Sequence, residues 1–470
     1  MLAAVCAITL VVVGAELPGQ AAERDAGRSP ALCGPDDTRE PGIQGDVPAG
    51  QTANYNCGLT LLGQLPRTGS VAGAGHCAYV RNSAGIFVID VSDPAHPTEV
   101  DSVPTFGGSE SMRAVVTDKR AVLVSGRGVY DISDCTHPVL KGQIPWPNLQ
   151  IAGVPFGLLP HDIRVNHAGT KVYATFGMWE ADITNLDDPS TWTVTDHSCE
   201  VDAQFWPVQM QAAKAGINPC ASHNSGGTII WAADAVQGAL MWPSLGHGPD
   251  TNGADTRLYE APVGGGLSER LALPALSIID LTQNPPRLLD QIPGAGYGID
   301  WFQSAKGKQF LLRNPEEGIP AQQVVPGDTC VPERDRPERL GWAFSAFLTE
   351  VTNDKAKNVS ELELAINTPK FCQARRASGH DPVVGYHSID NPYHATLAIL
   401  EYGDAGLRVF DIRDPKKPIE VAYFNHGRQT GQNGIPYYDA SRGLVYASDS
   451  TGFKVLQIQP QVREHLSLDK

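Results

Sequence analysis

Four histidines stand near the start of short, alternating segments: His76 in GHCAYV, His161 in PHDIRV, His223 in SHNSGG and His387 in YHSID. Three further segments of the same kind carry Met112, Ile299 and Gly434 at the matching place. Imidazole nitrogens suit zinc, copper, iron or nickel, and a thioether such as Met112 shifts the preference toward copper. Asp162 and Asp390 neighbour two of these histidines and could accept the second ring N–H, fixing the tautomer. If all seven segments begin at one level around a common axis, residues distant in sequence become neighbours. His161, His223 and His387, with His76 as a fourth, then form a candidate site for copper or zinc. The simpler use of the same histidines is to hydrogen-bond water and backbone at strand starts. His96 and His137 lie beside prolines in turns and read as solvated, and His394, seven residues after His387, is a further candidate ligand.

The elements that would position these residues form a repeat. GIFVIDVSDPAHPTEV from Gly85 to Val100 and GLRVFDIRDPKKPIEV from Gly406 to Val421 are two copies of one unit. In each, an alternating apolar strand ends on an acid, a β-branched residue follows, and a proline-rich turn closes the unit. GVYDISDCTHPVLKGQI from Gly128 and SIIDLTQNPPRLLDQI from Ser277 repeat it, EADITNLDDP from Glu180 and LTEVTND from Leu348 are degraded copies, and GFKVLQI from Gly452 is the last. The central acid falls at 90, 131, 182, 280, 350 and 411, with Gln457 in its place at the end. The shorter spacings match the ~40–50 residues of a four-stranded propeller blade, and the longer ones must hold insertions. The acid itself reads as a turn element whose carboxylate accepts backbone N–H groups on the way to the next strand.

The two ends of the chain complement each other. LTLLGQLP at 59–66 looks like an outer strand with no blade of its own, while the chain stops after Gly452–Ile458 without an outer strand. Pairing the two closes a ring and removes open sheet edges. The expectation is an all-β, seven-bladed β-propeller closed by an N-terminal strand, with disulfide-containing loop insertions. The strand Phe87-Val88-Ile89-Asp90-Val91 and its Asp-Pro continuation resemble the LVIVD-repeat family, a likeness that extends from about Leu59 to Gln459. That resemblance implies a propeller and an exported or surface location, and it assigns no reaction. The stretches VYDISDCTHPVLKGQI and PHDIRVNHAGTKVYAT also resemble parts of the selenium-binding protein or methanethiol oxidase family, which implies a histidine-bound copper that oxidises thiols.

Composition narrows the function. A formal charge of -16 with no basic run excludes a phosphate-backbone partner. Residues 1–22 read as a signal peptide: Leu2–Gly14 is apolar but too short to span a bilayer, and Gly19, Ala21 and Ala22 follow. No other segment is apolar for long enough to cross a membrane. Residues 23–58 form an N-terminal extension, 59–460 the propeller and 461–470 a C-terminal tail. Setting aside Cys6 leaves eight cysteines, an even number that fits an oxidising compartment. Pairing sequential neighbours is the simplest arrangement, with Cys199–Cys220 and Cys330–Cys372 the pairs expected first. Asn358-Val359-Ser360 fits the glycosylation tripeptide. There is no CxxC, GxSxG, HExxH, P-loop or dinucleotide-binding motif.

Two readings follow. In the first, the chain is an exported, monomeric binding or scaffold module whose insertions recognise a protein or a small-molecule ligand. In the second, it is a metal-dependent, oxidase-like enzyme with copper or zinc held by His161, His223 and His387, joined by His76. The tryptophans, Trp179 and Trp301 among them, are expected to pack between blades.

Overall fold

In the computed structural model, residues 31–40, 54–107, 112–147, 163–174, 179–196, 298–314, 346–352, 355–362, 364, 384–402, 405–426 and 435–468 are described. Short paired strands within 150–155, 230–244 and 275–293 are described through their backbone.

Almost every element is a short antiparallel strand, as alternating segments punctuated by Gly, Pro and Asp require. The first sheet comprises Ser70–Ala74, Cys77–Asn82, Gly85–Asp90 and Thr98–Val103, in that spatial order. The second repeats the order with Met112–Thr117, Arg120–Ser125, Gly128–Asp131 and Val139–Gln143. The third uses Ile163–Val165, Lys171–Ala174, Trp179–Asp182 and Thr193–Asp196. Gly298–Gln303, Gln309–Asn314, Ala346–Thr352 and Lys355–Leu362 form another sheet, and Val384–Ile389, Leu397–Tyr402, Gly406–Asp411 and Ile419–Asn425 the next.

The last sheet closes the ring. Tyr437–Asp439, Leu444–Asp449 and Gly452–Ile458 take their fourth strand from Leu59–Leu65, which runs antiparallel to Gly452–Ile458 with Leu59 opposite Ile458 and Leu65 opposite Phe453. This is the end-to-end pairing that the sequence predicts. The closing strand passes tightly over the Asp93-Pro94 turn, where a Cβ on Gly63 would sit 2.5 Å from the Pro94 carbonyl oxygen. Glycine is the residue for so close a backbone approach.

The first strands of these six sheets touch in the ring order third, second, first, last, then 384–389, then 298–303. Arg164 of the third sheet reaches Asp300 in Gly298–Gln303. Apolar clusters fill the interfaces. Tyr79, Val88, Leu123 and Tyr130 pack between the first two sheets, and Val124, Trp146, Trp179 and Trp192 between the second and third. Phe302, Leu348, Leu400 and Phe410 fill a third interface, and Ile399, Val409, Val445 and Leu456 a fourth. Because each sheet is covered on both faces, strands such as Leu397–Tyr402 and Gly406–Asp411 are buried at every position.

The architecture is therefore an all-β propeller showing six packed blades, one fewer than the seven predicted. The difference lies in the 98 residues between Asp182 and Asp280. A further four-stranded sheet, Ile230–Trp231, Ala239–Ser244, Ala275–Asp280 and Arg287–Pro293, is described there by backbone pairing alone. The 98-residue spacing exceeds one repeat and dilutes the pattern from which a blade is counted.

The disulfides also depart from expectation in what they staple. Cys33–Cys57 and Cys77–Cys135 form, as sequential pairing predicts, but neither closes a loop insertion. The first ties residues 31–40 to Tyr55–Cys57, which adds a fifth strand beside Ile419–Asn425. The second joins one blade to the next. Cys199, Cys220, Cys330 and Cys372 lie outside the described residues, as does the segment 1–22. Residues 460–466 of the predicted tail region form a helix, Pro460–Leu466, which buries Val462 and Leu466 against the last blade. Among the described residues no helix is long and apolar enough to cross a membrane.

Candidate functional site on the propeller axis

Four of the repeat's acids are turn elements, as predicted, whereas Glu350 pairs with Lys308 at 2.7 Å and the side chain of Asp280 lies outside the described residues. The carboxylates of Asp90, Asp131, Asp182 and Asp411 each accept the backbone N–H two residues on, at 2.8, 2.9, 2.8 and 3.0 Å. The intervening N–H, that of Val91, Ile132, Ile183 or Ile412, donates to a carbonyl of the preceding hairpin. A second aspartate then caps the proline-rich turn: Asp93, Asp134 and Asp414 accept from Ala95, Thr136 and Lys416. Hydrogen bonds from Ser92, Ser133 and Thr184 hold the carboxyls of Asp90, Asp131 and Asp182 below their ordinary range, burial opposing them. Asp411 is lowered although burial opposes it, because Arg413 and His465 bond to it. These acids are spent on the fold.

A different acid organises the axis. Asp300 lies on a first strand, and its Oδ2 is 2.8 Å from Nδ1 of His387 on the neighbouring blade's first strand. Its Oδ1 is 3.5 Å from Nη2 of Arg164 in the third sheet. Three blades thus converge on one carboxylate. An ionised carboxylate only accepts, so the N–H at Nδ1 of His387 donates to Asp300, which fixes the ring with Nε2 facing away from the carboxylate. That Nε2 is buried and has no hydrogen-bond partner among the described residues. The side chain of His387 is fully buried, whereas Asp300 keeps 23% of its side chain exposed.

Aromatic groups lie beside this cluster. Trp301, next to Asp300, meets Tyr393 edge to face at 5.7 Å, and Tyr393 lies 5.2 Å from the ring of His167. Nε1 of Trp301 is also buried without a partner among the described residues. The turn that carries Tyr393 is pinned to its neighbour, since Gln303 donates to the Pro392 carbonyl at 2.6 Å and Ala395 to that of Gln303 at 3.1 Å. An oriented imidazole of this kind can bind a metal, accept a proton or hold a ligand's hydrogen-bond donor.

Of the four histidines singled out in the sequence, His387 is at this cluster. His76 is not: it lies in the turn after Ser70–Ala74, because GHCAYV is the blade's second strand and SVAGA its first. Met112 begins its own first strand, so His76 and Met112 sit at opposite ends of their blades' first strands and share no level. His161, His223, Asp162 and Gly434 lie outside the described residues. Asp390 does not support a histidine. Its carboxylate accepts from Thr396 and Leu397 at 2.9 and 3.1 Å, and burial raises its pKa. His394 is exposed in the same turn. Asp300 and Arg164 were missed because neither belongs to a motif; the Asp in GIDWF, one place from the aligned Ile299, was the available signal.

Two further sequence readings resolve. Trp179 and Trp301 are buried between blades as expected. Asn358 of the tripeptide accepts hydrogen bonds from Arg313 and Thr349, at 2.5 and 2.9 Å, within its sheet.

The family model described as LVIVD repeat matches residues 67–105, which span the first blade from Ser70 to Val103. The first blade carries an LVIVD repeat. No curated protein matches the chain. Among solved structures, this chain is similar to the β-propeller domain of Myceliophteria thermophila Cps50 (Swd1). The identity is 12%, with 85% of this chain and 99% of that one covered and a TM-score of 0.48. It is also similar to the N-terminal domain of Nup159, at 7% identity, 91% and 99% coverage and a TM-score of 0.39.

Proposed function

We propose that this propeller, with its LVIVD repeat, is an exported binding module whose ligand site is the axial cluster of Asp300, His387 and Arg164. The observation that carries this reading is the buried His387 Nε2, left unpartnered among the described residues while Asp300 fixes the ring. An unpartnered buried polar atom costs stability, so a site that keeps one is explained by something that binds there. Export rests on the apolar leader at 2–14, the even cysteine count outside it and the two disulfides. The insertions between Cys199 and Cys220 and around Cys330–Cys372 are assigned to the partner-facing surface, the partner being a protein or a small molecule.

The test is native mass spectrometry of mature protein secreted from an oxidising host, compared with the same sample denatured. A bound mass present in wild type and absent from Asp300→Asn and His387→Gln, both with unchanged circular dichroism, is the expected result. Wild-type protein carrying no bound mass, or variants carrying the same mass, overturns it.

The alternative is a copper or zinc centre at His387 with His161 and His223, without His76, which lies in a hairpin away from this cluster; what speaks for it is the Asp300-oriented ring of His387, since metal-binding histidines take such partners. Metal analysis of untagged protein separates the two readings. Stoichiometric copper or zinc, lost in His387→Gln, selects the metal; a bound organic mass without metal selects the binding module.

A further inference from the structure

The Cys77–Cys135 bridge has an imidazole beside it. Nε2 of His76 lies 3.5 Å from Sγ of Cys135, and Nδ1 lies at 3.9 Å. One donor atom from each of His76, Cys77 and Cys135 falls within 4.8 Å of the others. In a tetrahedral zinc site with Zn–S ~2.3 Å and Zn–N ~2.0–2.1 Å, a sulfur and a nitrogen ligand stand ~3.6 Å apart. The His76–Cys135 separation already meets that requirement. His76 is exposed and Cys135 half-buried, so the group is open to solvent on one side, while Cys77 is buried beneath it.

Each donor is held by bonds other than the disulfide. Cys77 opens a strand and pairs with Ala74 on one side and Asp90 on the other. Cys135 stands in the repeat's turn where the other copies have Pro94 and Pro415. That turn is fixed by Asp134, which accepts from the Thr136 N–H at 3.0 Å and its hydroxyl at 2.6 Å, and by Tyr79, whose hydroxyl donates to the Cys135 carbonyl at 2.9 Å. The His76 carbonyl is bound by the Val91 N–H at 2.7 Å. Opening the bridge therefore frees two sulfurs without releasing the backbone that carries them. The Asp90 carboxylate interacts with His76 and adds negative charge near the site.

We propose that the bridge is a redox gate on a metal site: reduced, His76, Cys77 and Cys135 bind one zinc ion, with solvent as the fourth ligand. A dithiol supplies the electrons. Its thiolate attacks the half-buried Cys135 sulfur, the sulfur–sulfur bond breaks and Cys77 leaves as a thiolate. The dithiol's second thiolate then attacks its own sulfur in the mixed disulfide and releases Cys135, so the dithiol departs as a cyclic disulfide and the protein gains two electrons. Zinc displaces the remaining thiol protons to solvent. The site shares no residue with the Asp300 cluster, and it stands whether or not that cluster binds a ligand.

The experiment uses the full mature chain, reduced with dithiothreitol, desalted without oxygen and titrated with cobalt(II) as a spectroscopic substitute for zinc. Reduced wild type is expected to bind one equivalent that gives thiolate-to-cobalt charge transfer, is displaced by zinc, and is absent from the oxidised protein. Cys135→Ser loses that equivalent, and His76→Ala weakens it at least tenfold. A Cys33→Ser, Cys57→Ser double variant keeps it, which separates this site from the other described bridge. Reduced wild type without the band, a band surviving in Cys135→Ser, or a band lost with Cys33 and Cys57 overturns the proposal. Unchanged circular dichroism and melting temperature establish that each variant is folded.

Discussion

Arg408 is fully buried, and its guanidinium makes a bidentate pair with Glu40 at 2.6 and 2.8 Å and a third bond to Glu420 at 2.8 Å. Its Nε donates to the Ala405 carbonyl at 2.7 Å, and its plane lies over the Tyr423 ring. Glu40 and Glu420 expose only 4% and 2% of their side chains. One cation thus serves two buried carboxylates. Burial alone would lower the guanidinium's affinity for its proton, but the two carboxylates outweigh it and the arginine stays charged. Arg408→Met fills the volume and leaves two like charges buried without compensation. Breaking a buried ion pair by removing one partner costs ~3–5 kcal/mol, and this case belongs at the upper end because both acids lose their counterion. Glu40→Gln instead leaves a balanced Arg408–Glu420 pair and one amide acceptor, so its cost is that of weakening a charged hydrogen bond, ~1 kcal/mol. Urea unfolding at neutral pH should rank Arg408→Met well below Glu40→Gln. The deficit of Arg408→Met should shrink on acidification, because protonation removes the two uncompensated buried charges. Limited proteolysis provides a second readout, because residues 31–40 are held by this pair and by Cys33–Cys57. An Arg408→Met variant within ~1 kcal/mol of wild type at pH 7 would refute the reasoning, being smaller than the cost of a single unpaired buried charge.

Stability should fall on acidification in two steps. His426 is half-buried, and burial, then Lys454, lowers its pKa from 6.5 to about 4, so the unfolded chain takes up the proton first. Stability is therefore fully present above about pH 6.5 and declines toward pH 4; thermal melts of His426→Phe should be flatter across that window. The turn aspartates, whose pKa values are lowered, contribute stability above the ordinary carboxylate range and lose it as pH falls through their lowered values. Asp90→Asn and Asp131→Asn should remove part of that second step. Asn358 should remain unmodified in secreted protein, because its amide oxygen is held by Arg313 and Thr349; intact mass before and after glycosidase treatment checks this, and a mass loss absent from Asn358→Gln contradicts it.

The sequence by itself determined what is local and repeated. The alternating strand, its terminal acid and the Asp-Pro turn read directly as a blade unit, because each depends on neighbours within about ten residues. The turn role of Asp90, Asp131, Asp182 and Asp411 followed from the same locality. Ring closure was legible too, since a spare strand at 59–65 and a missing one after 458 can satisfy each other's backbone groups only by pairing.

Tertiary structure decided everything that depends on where the repeats fall around the axis. A shift of one strand turned GHCAYV from a first strand into a second and moved His76 from the axis to a hairpin, beside a disulfide that no spacing rule places there. Blade count depends on the 98-residue interval whose insertions hide the period. The Asp300–His387–Arg164 convergence joins strands beginning at 163, 298 and 384, and no local pattern encodes it. Local chain chemistry fixes turns and strands over a few residues, whereas a site assembled from three blades exists only once the sheets are packed and their first strands share an axis.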